Sequence, residues 1–315
     1  MMTPYIPRVA AVHDLSGFGR NSLSVVFPIL STMGAQVVAL PTAALSTHTG
    51  GFEGYVFEDL TGFMESTVKH WKSMNLRFQC IYSGFLGSPT QAHIVSQLIK
   101  DQLDETTPQS EVTLATAASS GSLLVVVDPV MADDGRLYDT MSRDMVEGLR
   151  TLIRDAGVIT PNLTEASLLL GEEYKPDLDE ETLKSWLVRL ADMGPRVVVI
   201  TSAPLSRKGK DTSVVAFDKV SGHFWRVPCV YIPANYPGTG DVFTSVLTGS
   251  LLQGDSLPVA LDRGVQFVTQ AIRASYGFDY PRREGVLLER VLGSLNGPVP
   301  VGSFEWMDER EDTSW

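Results

Sequence analysis

The chain alternates short apolar segments with longer segments of helical periodicity, and this alternation limits its possible folds more than any other feature. The short segments are rich in β-branched residues, and runs such as LLVVV are typical of strands buried on both faces. Alternating strands and helices predict a mostly parallel sheet with helices on both faces. The predicted strands span residues 8–13, 36–41, 79–82, 123–127, 157–160 and 196–201, and the predicted helices between them span residues 22–33, 89–103, 142–155 and 180–193.

The pattern changes after residue 201. Segments 212–217 and 223–227 are predicted to form a hairpin, and two helices are predicted near residues 239–252 and 257–275. Because no linker interrupts the pattern, we expect a single domain over residues 1–300. Residues 104–122 are rich in Thr, Ala and Ser, and this composition predicts an exposed loop. Residues 301–315 are predicted to form an acidic tail that is frayed from residue 304 onward.

The balance of charges excludes some classes of function. The chain has 25 Lys and Arg against 37 Asp and Glu, a net charge of −12, which argues against a general nucleic-acid-binding protein. Its two cysteines, Cys80 and Cys229, exclude a disulfide scaffold and a cysteine-based zinc site. We find neither a secretory-signal pattern nor an apolar run of about 18 residues. We therefore expect a cytoplasmic protein that binds neither membrane nor nucleic acid.

Segment 237–245, PGTGDVFTS, carries the most chemical information. It places glycines directly before a predicted helix, where backbone amides without intrahelical partners form an anion site. Gly238 and Gly240 allow close approach of a phosphate. Asp241 in the first turn has two interpretations: a carboxylate that matches the helix dipole, or a general base beside an oxyanion site.

Segment 125–135, VVVDPVMADDG, is a predicted strand that ends in a carboxylate and continues into a loop with two more. In open α/β sheets, ligands bind beyond the carboxyl ends of the strands, and carboxylate oxygens there suit Mg²⁺. The alternative interpretation is ordinary turn chemistry, because Asp-Asp-Gly is a common turn sequence.

Segment 160–166, TPNLTEA, again joins a predicted strand to a predicted helix. Asn162 and Glu165 have the spacing of an N-terminal capping box, which is the structural interpretation. The functional interpretation places both near a Mg²⁺-bound phosphate, directly or through water.

Two segments near the N-terminus, 13–22 and 46–51, follow the first two predicted strands and carry polar groups that could orient a small hydroxylated ligand. Their glycines lack the GxGxxG spacing of a dinucleotide-binding fingerprint. The sequence also contains no GxxxxGKS/T motif and no HExxH motif, which disfavours a P-loop protein and a histidine-based zinc site.

Taken together, these segments resemble the ribokinase-like superfamily, and most closely its vitamin B6 kinases. The resemblance runs from about residue 8 to residue 275 and depends on the order HDLSGFG, LSTHTG, SGFLGS, DPVMADDG, TPNLTEA, TSA and GTGD. It implies a three-layer α/β/α fold with a mostly parallel central sheet. It also implies an ATP-dependent kinase that phosphorylates the 5′-hydroxyl of pyridoxal, pyridoxine or pyridoxamine.

The same resemblance implies roles for individual residues. It makes Asp241 the catalytic base and places the anion hole at Gly238, Thr239 and Gly240. The acids implied to lie near Mg²⁺ and phosphate are Asp128, Asp133 and Glu165.

On the nucleotide side, the resemblance implies ATP contacts at Asn162, Thr201, Ser202 and Thr239. For the vitamin, it implies contacts from the motifs HDLSGFG, LSTHTG and SGFLGS. In the last of these, Phe85 occupies the position where many members have Tyr. The implied vitamin-side residues are His13, Asp14, Ser16, His48, Thr49 and Phe85.

The resemblance implies ATP and Mg²⁺ as cofactors, leaves the use of a monovalent cation open, and implies a homodimer. Two other functions remain open. One is a hydroxymethylpyrimidine (phosphate) kinase of the same superfamily, although members with overlapping B6 activity often carry Cys in place of the base, where this chain has Asp241. The other is a non-catalytic protein that binds B6 or nucleotide, because a fold alone does not establish catalysis.

Overall fold

The computed structural model describes residues 6–103, 123–205, 212–298 and 302–307, so the predicted loop at 104–122 lies outside the described residues. Its main feature is a ten-stranded sheet with the strand order β12-β11-β10-β9-β8-β5-β4-β1-β2-β3, and a separate hairpin pairs β6 with β7. The strands are β1 Arg8–Ser16, β2 Gln36–Leu45, β3 Phe57–Asp59, β4 Cys80–Ser83, β5 Leu124–Val127, β6 Ala132–Asp133, β7 Arg136–Leu137, β8 Val158–Ile159, β9 Val197–Ala203, β10 Ser213–Asp218, β11 His223–Pro228 and β12 Glu305–Trp306.

The centre of the sheet is parallel, as the strand–helix alternation predicts. β2, β1, β4, β5, β8 and β9 pair in parallel, and antiparallel strands lie at both edges. The predicted hairpin is confirmed as β10 and β11. Strand β2 runs past its predicted end at residue 41, because β3 pairs with Ala43, Ala44 and Leu45. The sequence did not predict this extension because β3 is a short, exposed edge strand.

Helices cover both faces of the sheet, so the three-layer α/β/α prediction is confirmed. In β1, Ala10 and Val12 pack with α2 to α6, whereas Val9 and Ala11 pack with α1, α7 and α8. This alternation follows from the two-residue period of a strand. The helices are α1 Leu23–Thr32, α2 Thr61–Ser73, α3 Pro89–Gln102, α4 Arg143–Leu152, α5 Leu163–Leu170, α6 Glu180–Asp192, α7 Thr239–Gln253 and α8 Leu257–Tyr276.

Two parts of the chain differ from the sequence prediction. Helix α2 was not predicted, although its buried residues Met64, Val68 and Trp71 have helical spacing. The described part of the acidic tail is not frayed, because Glu305 and Trp306 pair with β11 and Met307 is buried. We continue to propose a single domain over residues 1–300, since strands from both ends of the chain share one sheet.

The strand order positions the candidate site. From β1 the chain first adds β2 on one side and later adds β4 on the other, so the strand order reverses beside β1. A reversal of this kind opens a crevice at the carboxyl ends of the strands. In the described part of the chain, we find no helix with the length and apolar character needed to cross a bilayer.

Candidate active site

A cavity of about 660 Å³ opens at the carboxyl ends of the central strands and at the N-terminus of α7. It brings together residues from all five chemically informative segments, which are spread along the sequence from residue 13 to residue 245. The predicted site residues that line it are Asp14, His48, Thr49, Phe85, Asp128, Asp133, Asn162, Glu165, Thr201, Gly238, Gly240 and Asp241.

The N-terminus of α7 presents free backbone amides to this cavity. Gly238 is the N-cap residue with a φ of 82°, and the first intrahelical bond runs from the Val242 N–H to the Gly238 carbonyl at 3.0 Å. The amides before Val242 therefore have no acceptor within the helix. A Cβ atom on Gly238 would lie 2.3 Å from the Arg20 carbonyl oxygen, so this turn packs tightly against the loop after β1.

Asp241 does not cap its own helix. Its Oδ2 instead accepts a 2.9 Å hydrogen bond from the Ser22 backbone N–H, in the loop after β1. The residue is 9% exposed, and burial raises the pKa of its carboxyl to about 7, against the opposing effect of the Ser22 N–H. The nearby Asp14 carboxylate raises this pKa further. A carboxyl group with a pKa near neutral suits proton transfer at physiological pH.

A second buried carboxylate, Asp128, lies at the end of β5. Its Oδ2 is 3.4 Å from the Thr244 hydroxyl, which also lies 3.1 Å from the Thr160 hydroxyl. Burial raises the pKa of Asp128 well above its usual value, and the negative charges of Glu165 and Asp241 add to this effect. A cation near these three carboxylates would relieve their mutual repulsion.

The capping-box interpretation of Asn162 and Glu165 is confirmed. Each side chain accepts a 2.9 Å hydrogen bond from the other residue's backbone N–H, and Glu165 Oε1 also accepts one from the Met131 N–H at 3.0 Å. The Asn162 amide donates to the Ala132 carbonyl at 2.7 Å. Burial raises the pKa of Glu165 to about 8, opposed by the backbone N–H groups. With both carboxylate oxygens engaged, Glu165 is suited to reach a cavity ligand through water.

The hairpin of β6 and β7 forms another wall of the cavity. Asp133 and Arg136 are opposite each other in the β6–β7 strand pair. Asp133 Oδ1 accepts a 2.9 Å hydrogen bond from the Asp134 N–H. Arg136 brings a positive charge to a wall that otherwise carries mostly acids. Within the described ranges, no three His, Cys, Asp or Glu side chains form a ready-made metal cluster. Mg²⁺ often takes one or two carboxylates together with phosphates and water, so the acids present fit that ion.

The opposite wall is built from the loops after β1 and β2. His48 is buried, its Nε2 donates to the Arg283 carbonyl at 2.6 Å, and its Nδ1 accepts from the Gly50 N–H at 3.1 Å. Burial lowers the pKa of His48, which is consistent with this neutral tautomer. Asp14 Oδ2 accepts a 2.9 Å hydrogen bond from the Ser16 hydroxyl, and burial raises the pKa of Asp14.

Four predicted contact residues do not line the cavity. His13 is fully buried behind Asp241, and the Ser16 hydroxyl is bound to Asp14. The Thr239 hydroxyl donates to the Tyr236 carbonyl at 3.2 Å, which leaves its backbone amide as the group available to an anion. Ser202 is exposed with a φ of 56° and lies outside the cavity wall. Motif position alone could not reveal these orientations, because each depends on neighbours distant in the chain.

The structure adds cavity residues that the sequence analysis did not single out. Ser22 and Thr244 lie within or directly after motifs that we did identify, so motif proximity was an available signal for both. The added residues at 52–55 directly follow segment 46–51, and those at 136–140 directly follow segment 125–135, so the same signal was available for them. The added residues include Asn21, Ser22, Phe52, Glu53, Tyr55, Arg136, Tyr138, Asp139, Thr140 and Thr244.

Comparison with known proteins shows similarity over most of the chain. Residues 106–285 match the phosphomethylpyrimidine kinase family. A pyridoxine/pyridoxal/pyridoxamine kinase of Bordetella avium is 30% identical over 279 residues, which cover 85% of this chain and 86% of that protein. A Bacteroides thetaiotaomicron protein named as a phosphomethylpyrimidine kinase, crystallised with pyridoxal, is 50% identical with a TM-score of 0.88, covering 96% of this chain and 100% of that chain. Pyridoxal kinase from Lactobacillus plantarum is 30% identical with a TM-score of 0.79, covering 92% of this chain and 97% of that chain.

Proposed function

The chain belongs to the phosphomethylpyrimidine kinase family, among the vitamin B6 kinases of the ribokinase-like superfamily, and from this premise we propose that its substrates are ATP and a B6 vitamer. It is a kinase that acts on an alcohol group. The proposed reaction transfers the γ-phosphoryl group of ATP to the 5′-hydroxyl of pyridoxal, pyridoxine or pyridoxamine. We expect a cytoplasmic homodimer.

One observation carries this proposal: a buried carboxyl group with a pKa near 7 lies at the start of a helix whose first amides are free. Transfer of a phosphoryl group to an alcohol needs both an acceptor for the alcohol proton and donors for the charge on the phosphoryl oxygens. Asp241 and the amides of Gly238, Thr239 and Gly240 supply these two functions from a single turn.

In the proposed step, Asp241 accepts the proton of the 5′-hydroxyl. The 5′-oxygen then forms a bond to the γ-phosphorus, while the bond from that phosphorus to the leaving ADP oxygen breaks. A positioned base contributes about 10²–10⁴-fold to the rate. The amides stabilise the negative charge on the transferring group, and loss of one such donor costs about 10²–10³-fold.

The donor set fits a magnesium ion. Asp128 and Asp133 line the cavity and would hold the ion, and Glu165, whose two oxygens accept backbone N–H groups, would act on it through water. A magnesium ion held there would supply positive charge to offset the negative charge of the phosphates. Arg136 would add a fixed positive charge beside it, and we propose no site for a monovalent cation.

We assign the two substrates to two groups of residues at the cavity, one for ATP and one for the vitamin. The proposed ATP contacts are Asn162, Thr201 and the backbone amide of Thr239, with Ser202 outside the cavity next to Thr201 in the sequence. The proposed contacts of the vitamin ring are Asp14, Thr49 and Phe85, and the buried ring of His48 supports the loop that carries Thr49. In this arrangement the 5′-hydroxyl faces Asp241.

The experiment that tests this function uses the purified chain with ATP and Mg²⁺. We expect phosphorylation of at least one of pyridoxal, pyridoxine and pyridoxamine with a kcat/KM above that for hydroxymethylpyrimidine. Preference for hydroxymethylpyrimidine would favour the alternative activity, which the family match and the name of the Bacteroides protein support. Binding without ATP consumption would contradict catalysis and favour a carrier.

Replacing Glu165 with Gln is expected to raise the Mg²⁺ concentration needed for half-maximal activity. The substitution removes a negative charge near the proposed metal and replaces one acceptor oxygen with an amide donor that faces a backbone N–H. The measurement is activity as a function of free Mg²⁺. Glu172→Gln, which removes an exposed carboxylate paired with Arg189, is the control. An unchanged titration in Glu165→Gln would contradict a role near the metal.

Replacing Arg283 with Ala is expected to raise the KM for the vitamin about tenfold and leave the KM for ATP unchanged. The Arg283 guanidinium lies 4.9 Å from the Phe52 ring centroid and donates to the Gly51 carbonyl at 3.3 Å, so it holds the loop after β2. Arg282→Ala removes the adjacent arginine, which instead packs over Tyr276, and serves as the control. Equal effects on both KM values would show a general loss of structure.

A further inference from the structure

The ring of His13 lies fully buried directly behind the proposed catalytic carboxylate. It packs edge-to-face against Tyr82 of β4, with the ring centroids 4.3 Å apart. A Cβ atom on Gly84 would lie 2.3 Å from His13 Nδ1, so the absence of a side chain at Gly84 makes room for the imidazole. The ring is therefore held in place from β1 and β4 and cannot reach the cavity.

The Nδ1 atom of His13 faces the carboxylate without bonding to it. It lies 3.9 Å from Asp241 Oδ1, and neither ring nitrogen makes a hydrogen bond of normal geometry with any described residue. A weaker contact with the Tyr82 backbone offsets only part of the effect of burial on the ring. Burial lowers the pKa of His13 to about 3, so the ring is neutral at physiological pH and the pair is not an ion pair. A buried polar nitrogen without a bonding partner is uncommon and calls for an explanation.

The other carboxylate oxygen of Asp241, Oδ2, already accepts a hydrogen bond. Oδ2 accepts the Ser22 backbone N–H at 2.9 Å, and this N–H group is fixed in the loop after β1. A proton taken up by Asp241 is therefore best carried on Oδ1, the oxygen that faces His13.

We propose that His13 is a positioning residue for the phosphoryl transfer: after Asp241 takes the alcohol proton, its Oδ1–H donates a hydrogen bond to the neutral Nδ1 of His13. This inference rests on the proposed function, since it assigns the proton of that reaction to one oxygen atom. The proton moves from the 5′-hydroxyl to Asp241 and stays there, and His13 accepts a hydrogen bond without being protonated. A displacement of Oδ1 by about 1 Å towards the ring would bring it within hydrogen-bond distance of Nδ1.

Other charged or titratable groups around this pair do not compete for that role. The carboxyl group of Asp14 on β1 raises the pKa of Asp241, and the charge of Asp241 in turn raises the pKa of Asp128 after β5; both carboxyl groups remain in every variant below. The Tyr82 phenol on β4 is neutral, because burial raises its pKa well above the usual value. His13 is the group that presents a neutral ring nitrogen to Oδ1.

Removal of the His13 acceptor should change the pKa of Asp241 in a defined direction. A lone pair facing Oδ1 favours the protonated carboxyl group, so its loss lowers the pKa of Asp241. In His13→Leu we expect the acid limb of the pH profile of kcat/KM to move to lower pH by about half a unit to one unit, and kcat to fall about tenfold. His13→Asn retains an acceptor oxygen and should lie between the two proteins on both measures.

Gly84 offers an independent route to the same result. Gly84→Ala leaves His13 in the sequence but places a methyl group where the imidazole lies, so we expect the same direction of change in the pH profile. Gly87→Ala is the matched control, because a Cβ atom there meets its nearest neighbour at an ordinary 3.7 Å. A merely structural role for His13 would lower thermal stability without moving the acid limb.

A pH profile in folded, active His13→Leu that coincides with the unaltered profile would overturn the inference. If that variant does not fold, the ¹⁵N resonances of histidine in the unaltered protein decide. We expect the Nδ1 resonance of His13 to shift on addition of pyridoxal 5′-phosphate and ADP, and an unchanged resonance would overturn the inference. A different result would contradict the proposed function itself: the unaltered chain would turn over none of the B6 vitamers.

Discussion

Asp241→Asn is expected to lose about 10²–10⁴-fold in kcat while retaining its affinity for ATP. The amide side chain is nearly isosteric with the carboxyl group and can still accept the Ser22 N–H, but it cannot take the proton of the substrate alcohol. In the unaltered protein, kcat/KM should rise with pH through about 7, where the base ionises. The measurements are steady-state kinetics across pH and direct titration of ATP binding. Near-normal turnover in this variant would contradict the assignment of the base.

The same substitution should stabilise the fold at alkaline pH. The folded-state pKa of Asp241 is raised above its unfolded value of 3.8, so the ionised carboxylate opposes folding, increasingly as the pH rises towards 7. Above that pH we expect Asp241→Asn to gain on the order of 2–4 kcal/mol in free energy of unfolding, and the gain should vanish near pH 4. Denaturant unfolding at pH 5 and pH 8 measures this difference. Loss of activity together with gain of stability would separate a catalytic role from a structural one.

Gly238→Ala is expected to reduce kcat/KM about 10²–10³-fold. Gly238 has a φ of 82°, which an alanine adopts only under strain, and its new Cβ would lie 2.3 Å from the Arg20 carbonyl oxygen. The turn would have to move, which misaligns the amides that we propose to stabilise the transferring phosphoryl group. The measurement is kcat/KM for ATP at saturating vitamin.

Two other glycines serve as controls for this result. Gly62→Ala in α2 adds a methyl group in open space at a residue that does not line the cavity, and should leave activity unchanged. At Gly240 a Cβ atom would meet no protein atom within 4 Å, although the residue lines the cavity. A loss of activity in Gly240→Ala with unchanged stability would therefore reflect an obstructed ligand. Full activity in Gly238→Ala would contradict a role of this turn in catalysis.

The sequence predicted the fold better than it predicted the orientations within the site. The parallel centre, both helical layers and the β10–β11 hairpin follow from local periodicity, which each segment carries by itself. The extension of β2 was not predictable in this way, because it depends on pairing with the exposed β3. Helix α2 had the required spacing of Met64, Val68 and Trp71, so its omission was an error of interpretation rather than a lack of signal.

The candidate site shows the same division. Asp128 and Asp241 were identified because they directly follow a predicted strand or begin a predicted helix, and both line the cavity. Burial is the main cause of both raised pKa values; the charges of Glu165 and Asp241 add to it at Asp128, and the charge of Asp14 adds to it at Asp241. No single segment of the sequence contains these neighbours. His13 belongs to a motif that faces the site, yet its own side chain is packed behind Asp241.

The sequence by itself determined the order of strands and helices and the types of polar residue at the strand ends, because both depend on spacings of a few residues. Only the tertiary structure decided which of those residues face the cavity, that Glu165 is bound on both oxygens, and that Asp241 is buried with Ser22 as its partner. The physical reason is that burial, hydrogen-bond geometry and charge coupling depend on distances through space. Those distances are set by how the central strands and α7 pack together, and not by separation along the chain.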